Sequence, residues 1–146
     1  MIAFETSTRI NRPIEDVFSY VSDALNFPRW NSAVQAVRKT SAGENGVRST
    51  YVMERELPTG RAINELEVVA SERPTDFAIR STTGPTPFLY RYRFAAENDG
   101  TVMQLNAEVE LPGAAAILPQ LARRAVKKGV EDNFATLKQI LEATGR

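Results

Sequence analysis

The stretch from Ile10 to Trp30, INRPIEDVFSYVSDALNFPRW, constrains the fold most. It closes a strand, opens a helix on a proline and reaches the only Trp of the chain through short turns. Pro13 suits a first helical turn, where its missing N–H would lack a partner anyway, and Glu15 and Asp16 complement the positive end of the helix dipole. The helix therefore starts near Pro13. Val17, Phe18, Val21 and Leu25 recur at helical spacing and predict one inward face. Asn26, Pro28 and Asn31 then break the period into turns around Phe27 and Trp30.

Beyond Trp30 the chain reads as a succession of strands. Val34–Thr40 leads through a turn at Ser41–Gly46 into Val47–Leu57, where Val47, Ser49, Tyr51, Met53, Arg55 and Leu57 share one face by period two. That face is expected to point inward. After a turn at Pro58–Gly60, Ala62, Asn64, Leu66, Val68 and Ala70 oppose Glu65, Glu67 and Val69. Phe77–Ser81 comes next, then the loop TTGPTP, then FLYRYRF, which sets Phe88, Tyr90, Tyr92 and Phe94 against Leu89, Arg91 and Arg93. A hairpin turn at Glu97–Gly100 precedes Met103, Leu105, Ala107, Val109 and Leu111, alternating with polar residues. Six or seven adjacent antiparallel strands with no long helix between them indicate an α+β architecture rather than βαβ repeats.

A final helix is expected from about Ala114 to Ala143, kinked or restarted at Pro119 and roughly 40 Å long at 1.5 Å per residue. Projected at about 100° per residue, Leu118, Leu121, Ala122, Ala125, Val126, Gly129, Val130, Asn133, Leu137, Ile140 and Leu141 form the predicted buried stripe. Small residues in its first half and large ones in its second imply a cavity beside the first and solid packing beside the second. Arg123, Arg124, Lys127 and Lys128 spread around the helix ahead of Glu131 and Asp132, the pattern of a solvated face.

The 146 residues suit a single domain, 1–146, with one core. Eighteen basic and eighteen acidic side chains cancel, so no global field draws the chain to nucleic acid or an anionic surface. The absence of cysteine excludes disulfides, thiolate metal sites and a Cys nucleophile. The absence of histidine removes the commonest base near neutral pH and the usual zinc ligands. The glycines are scattered and form no phosphate-binding loop, so no cofactor is expected. No apolar run reaches the roughly 20 residues that span a bilayer, and IAFETSTRI reads as a strand rather than a signal peptide. A soluble, cytoplasmic protein without integral membrane association is expected.

The opening strand IAFETSTRI, the segment NRPIEDVFSYVSD with Trp30 downstream, and the closing LARRAVKKGVEDNFATLKQILEA resemble the START-like, or Bet v 1-like (SRPBCC), superfamily, in particular its polyketide cyclase/dehydrase-type branch. The resemblance covers nearly the whole chain. It implies a helix-grip fold: a curved antiparallel sheet of six to seven strands around a long C-terminal helix, two short helices after strand one, and an apolar cavity between.

On that reading the ligand-binding candidates are Trp30, Tyr51, Met53, Arg55, Asn64, Leu66, Phe77, Tyr90, Tyr92, Leu105, Leu121, Ala125, Gly129 and Asn133. The aromatic residues alone equally describe an ordinary core, and Trp30 is either a cap on the cavity mouth or an anchor for the short helices. Arg55, Asn64 and Asn133 are polar on apolar faces; they need partners if buried, and either recognise a ligand oxygen or sit at a solvated rim. Asn133, central on its helix, is the stronger candidate. The loop Thr82–Pro87 is a candidate lid.

The expected function is binding of a small, mostly apolar molecule such as a lipid, quinone or polyketide-like compound, as carrier or sequestering protein. An alternative is a cyclase/dehydratase-like enzyme using Tyr51, Tyr90, Tyr92 or Arg55, which requires a tyrosine pKa lowered by a cation such as Arg55. A further alternative is a protein-interaction module. A homodimer through a sheet edge or the Pro112–Leu118 segment is compatible with the sequence.

Overall fold

A computed structural model describes residues 1–111, 113 and 117–144. In chain order the elements are β1 (Ile2–Ile10), α1 (Ile14–Val21), a 3-10 turn (Ala24–Asn26), α2 (Phe27–Trp30), β2 (Val34–Lys39), β3 (Thr50–Leu57), β4 (Gly60–Glu72), β5 (Asp76–Thr83), β6 (Phe88–Glu97), β7 (Gly100–Val109) and α3 (Pro119–Thr144). The strands form one antiparallel sheet in the order β1-β7-β6-β5-β4-β3-β2. The α+β helix-grip arrangement is therefore present, with seven strands, a long last helix and two short helices after the first strand.

Period-two alternation decides which face is inside. Phe4, Tyr51, Met53, Leu66, Val68, Phe77, Ile79, Tyr92, Phe94, Met103 and Leu105 are buried in one cluster with Val17, Phe18, Val21, Trp30, Phe134 and Leu137 from the helices. Arg91, Arg93, Glu65 and Glu108, on the alternate positions, are exposed. The β6–β7 hairpin turns at Asn98 and Asp99, both with positive φ (47° and 67°), the geometry that suits the right-handed twist of a two-residue turn.

Several boundaries differ from expectation. β3 begins at Thr50 rather than Val47, because Arg48 takes φ 76° and the Ser49 N–H closes a turn on Gly46; Val47 is exposed. Leu25 is also exposed, although helical spacing places it inward. The α-helix ends at Ser22, and Asp23 caps a 3-10 turn by accepting the Leu25 N–H at 3.0 Å, so the phase is lost. α3 starts at Pro119, consistent with the tolerance of proline in a first turn. The expected helical start at Ala114, and most of the Pro112–Leu118 segment considered for a dimer, lie outside the described residues.

α3 departs furthest from its predicted stripe. Val130, Phe134, Leu137 and Leu141 are buried, whereas Leu118, Leu121, Ala125 and Gly129 are exposed, Leu121 by 63%. The helix packs chiefly on β1 and α2, fastened at its C-terminal half. There Lys138 Nζ donates to the Arg9 carbonyl (2.6 Å), Arg12 Nη1 to the Leu141 carbonyl (2.6 Å), and the Asn11 N–H to Glu142 (2.8 Å). Among the described residues no helix is long and apolar enough to cross a membrane.

Candidate ligand pocket

Four strands and α2 bring ten side chains around a pocket: Phe27, Trp30, Asn31, Val34, Met53, Arg55, Ile79, Phe88, Tyr90 and Tyr92. The cavity they enclose has a volume of about 60 Å³. Drug-sized sites run from roughly 300 to 1,000 Å³, so this space is smaller than such a site, and a ring system enters it only as the side chains of its walls move apart. The groove beside Arg91, Asn106 and Glu108, on the opposite face of the sheet, is lined by charged side chains together with Ala3 and Ala107. On the inner side, apolar walls converge with Arg55, Tyr90 and Tyr92.

The aromatic wall follows from alternation along β6. Phe88, Tyr90 and Tyr92 share a face, with Phe88 tilted on Tyr90 (4.9 Å) and Tyr90 edge-on to Tyr92 (6.4 Å). Tyr92 continues the contact inward to Phe77 (6.0 Å) and Phe134 (6.4 Å). Trp30 forms the opposite wall, edge-on to Phe27 and 6.3 Å from Phe134. It is 4% exposed, and its indole N–H is buried with no acceptor among the described residues.

Arg55 carries the charge of the pocket. Cross-strand register sets Met53 opposite Asn64 and Arg55 opposite Ala62, so Arg55 and Asn64 are diagonal neighbours on the inner face. Arg55 donates to Asn64 Oδ1 through Nε (3.0 Å) and Nη2 (2.7 Å), to the Pro85 carbonyl (2.8 Å) and to the Thr86 hydroxyl. Asn64 Nδ2 donates in turn to the carbonyls of Thr83 (3.1 Å) and Pro85 (2.9 Å). The loop after β5, the candidate lid, is therefore tied to the pocket wall by these two side chains. The guanidinium also lies 5.8 Å from the Phe88 ring centre. Among the described residues no carboxylate lies within 4.0 Å of it.

Burial sets the ionisation of the tyrosines. It pushes the Tyr90 phenol up to about 12, with Arg55 opposing the shift, and raises Tyr92 further, with Tyr90 adding to the effect. Burial also lowers Arg55, and Tyr90 counteracts this. Near neutral pH both phenols are protonated and act as hydrogen-bond donors rather than bases. The lowered tyrosine pKa that base catalysis would need is absent here, because desolvation outweighs the attraction of Arg55.

Of the expected site residues, the pocket gathers Trp30, Met53, Arg55, Tyr90 and Tyr92. Asn64 lies behind Arg55. Leu66, Phe77 and Leu105 are packed in the core, and the Tyr51 hydroxyl donates to Asn45 Oδ1 (2.9 Å), away from the pocket lining. Asn133 Oδ1 accepts the Ser32 N–H (3.2 Å), so its carboxamide holds the link between α2 and β2. Leu121, Ala125 and Gly129 are exposed, which corrects the expectation that small helix residues border a cavity. Phe27, Asn31, Val34, Ile79 and Phe88 line the pocket although they are not among the expected residues. Phe88 and Ile79 share strand parity with Tyr90 and Phe77, and Phe27 lies one helical turn before Trp30; Asn31 and Val34 carry no comparable signal. Among the described residues no cluster of acidic side chains could hold a metal ion.

Residues 1–142 match the family described as polyketide cyclase/dehydrase and lipid transport. Comparison with curated proteins finds no match. Among solved structures, TTHA0849 from Thermus thermophilus superposes with a TM-score of 0.83 at 16% identity, over 99% of this chain and 100% of that one. A START superfamily protein from Mycobacterium smegmatis gives 0.79 at 16% identity, over 97% and 98%. The di-domain ARO/CYC StfQ from the steffimycin biosynthetic pathway gives 0.79 at 16% identity, over 99% of this chain and 52% of that one.

Proposed function

Since the chain belongs to the polyketide cyclase/dehydrase and lipid transport family, we propose that its pocket binds a small aromatic or otherwise mostly apolar molecule bearing a hydrogen-bond-accepting oxygen, as a carrier or sequestering protein. The observation that carries this reading is the convergence of Arg55, Tyr90 and Tyr92, all donors near neutral pH, within walls made by Phe27, Trp30, Met53 and Phe88. Apolar burial supplies the driving force and the donors orient the oxygen. A ring the size of an aromatic side chain hides about 150–250 Å² and gains roughly 4–6 kcal/mol before the cost of association.

A second reading, a cyclase- or dehydratase-like enzyme, is favoured by the adjacency of Arg55 and Tyr90. Two donors beside one another could stabilise an enolate oxygen as charge develops on it, with a tyrosine serving as proton donor. In this reading the α-proton passes to solvent water, since the pocket lining holds no Asp, Glu or His to take it.

Native mass spectrometry of the protein purified from its own host tests the binding reading. A discrete added mass, lost on denaturation and absent from an Arg55→Met, Tyr90→Phe double variant, is expected; a clean protein mass under gentle conditions counts against a carrier. Loss of turnover in Tyr90→Phe with affinity retained would select the enzyme instead.

A further inference from the structure

We propose that Asn64 sets the selectivity of the pocket: by giving Arg55 a neutral partner, it leaves the guanidinium charge uncompensated and available to an anionic group on an apolar ligand. The inference rests on the reading of the pocket as a ligand site and narrows the ligand to an anion.

Asn64 is 0% exposed, and its carboxamide is fully engaged. Its oxygen takes both the Arg55 Nε and Nη2 donors, and its nitrogen is directed at the carbonyls of Thr83 and Pro85. It has no donor left for a ligand, so its effect passes through Arg55, and it is a positioning residue. The two loop carbonyls also explain why an amide stands here. A carboxylate of the same shape would aim an oxygen, instead of an N–H pair, at two acceptors.

The loop is held close. Gly84 takes φ 100°, and a Cβ there would overlap the Ile63 carbonyl oxygen and Asn64 Nδ2, so only glycine lets the chain lie on the amide. Thr86, whose hydroxyl meets Arg55, takes φ 48°.

Arg55 is left in an unusual position. Nε and Nη2 are used by Asn64 and the loop, whereas Nη1 has no acceptor among the described residues. A half-buried cation without a counterion is disfavoured unless a partner arrives. The pocket lining contains no Asp or Glu, and its Trp30 N–H also lacks an acceptor among the described residues. A cation and free donors within aromatic walls fit a carboxylate, phenolate, enolate or sulfonate on a ring system better than a neutral hydrocarbon.

Two dyes with one carbon skeleton test this on the full chain: 1-anilinonaphthalene-8-sulfonate and N-phenyl-1-naphthylamine, its neutral counterpart, titrated by fluorescence. The wild-type protein is expected to bind the sulfonate at least about tenfold tighter than the neutral dye, the scale of one charged hydrogen bond. Arg55→Met should bring that ratio close to one while the neutral dye still binds. Asn64→Asp, which adds a negative charge beside Arg55, should lower the ratio about fivefold or more, and Asn64→Leu, which removes the contact to Arg55 without adding charge, should lower it clearly less.

Equal affinity of the wild-type protein for both dyes would overturn the inference and leave the pocket reading standing. Failure to bind either dye would overturn the pocket reading itself. A ratio unchanged by Arg55→Met, or lowered alike by Asp and Leu at position 64, would overturn the inference too, since the charge sensed would lie elsewhere or Asn64 would be merely structural. Loss of both dyes in both Asn64 variants would likewise overturn it.

Discussion

Tyr90 and Tyr92 stand two residues apart on one face of β6, and both are worth more to the fold neutral than ionised. The unfolded chain loses a tyrosine proton near pH 10.0, whereas Tyr90 holds its own to about 12 and Tyr92 further still. Their contribution is thus complete below pH 10.0 and is lost as pH rises through the folded-state values, because the unfolded state ionises first. Thermal midpoints followed from pH 9 to about 12 should fall, and the fall should be shallower in Tyr90→Phe and Tyr92→Phe. A profile unchanged by both substitutions would mean that the phenols are solvated.

A second residue-scale test concerns Gly84. Alanine there must relieve both a positive φ and overlap with Ile63 and Asn64, so Gly84→Ala should cost about 1–3 kcal/mol in urea denaturation. Gly43→Ala, with a similar φ but open space around it, should cost less. The comparison separates backbone strain from the close approach of the loop.

At this scale the sequence is informative about facing and silent about partners. Alternation along β3 correctly turns Tyr51, Met53 and Arg55 to one face. It cannot tell that the Tyr51 hydroxyl reaches Asn45 in the preceding loop, or that Asn64 meets two loop carbonyls 19 and 21 residues onward.

Elements differ in how evenly they are held, and α3 is the clearest case. Its first half presents Leu121, Ala125 and Gly129 to solvent, while its second buries Phe134, Leu137 and Leu141 and is fastened to β1 and to the segment that follows it through Arg9, Asn11 and Arg12. Leu137→Ala should therefore cost about 2–5 kcal/mol, the range for removing a buried Leu side chain, and Leu121→Ala no more than about 0.5 kcal/mol. Equilibrium urea unfolding measures both; comparable losses at the two sites would mean that the first half also packs on the body. The helical period of this segment is legible because Leu137, Ile140 and Leu141 keep it. A projection about the axis assigns a direction to each side chain, however, and says nothing of where along its length a helix meets the sheet. Small residues suggest the border of a cavity in such a projection, whereas here they mark the part of the helix with least to pack against.

The whole molecule is an open sheet whose two edges, β1 and β2, are the two strands that α1 and α2 connect. Without a closing ladder between those edges, their relative position depends on that connection and on α3, which packs on β1 at one side and on α2 at the other. The contact that completes this path is Trp30 on Phe134, 6.3 Å apart, with Phe27 also edge-on to the indole. Trp30 thereby does two things at once: it walls the pocket and joins the helix to the segment that leads into β2. The opening motif of the sequence thus marks a structural junction as well as a wall of the pocket. Trp30→Ala and Phe134→Ala should each cost about 3–5 kcal/mol by loss of buried aromatic surface. That loss alone does not test the junction, because any large core side chain would behave similarly. The double variant does. If the two rings hold α2 and α3 together, the cycle should leave a coupling of about 0.5–1.5 kcal/mol, the range for an aromatic pair beyond its area burial. A coupling close to zero would place the two rings in the core as neighbours without mutual dependence, and the two edges of the sheet would then be held by the covalent connection and the C-terminal fastening of α3 alone.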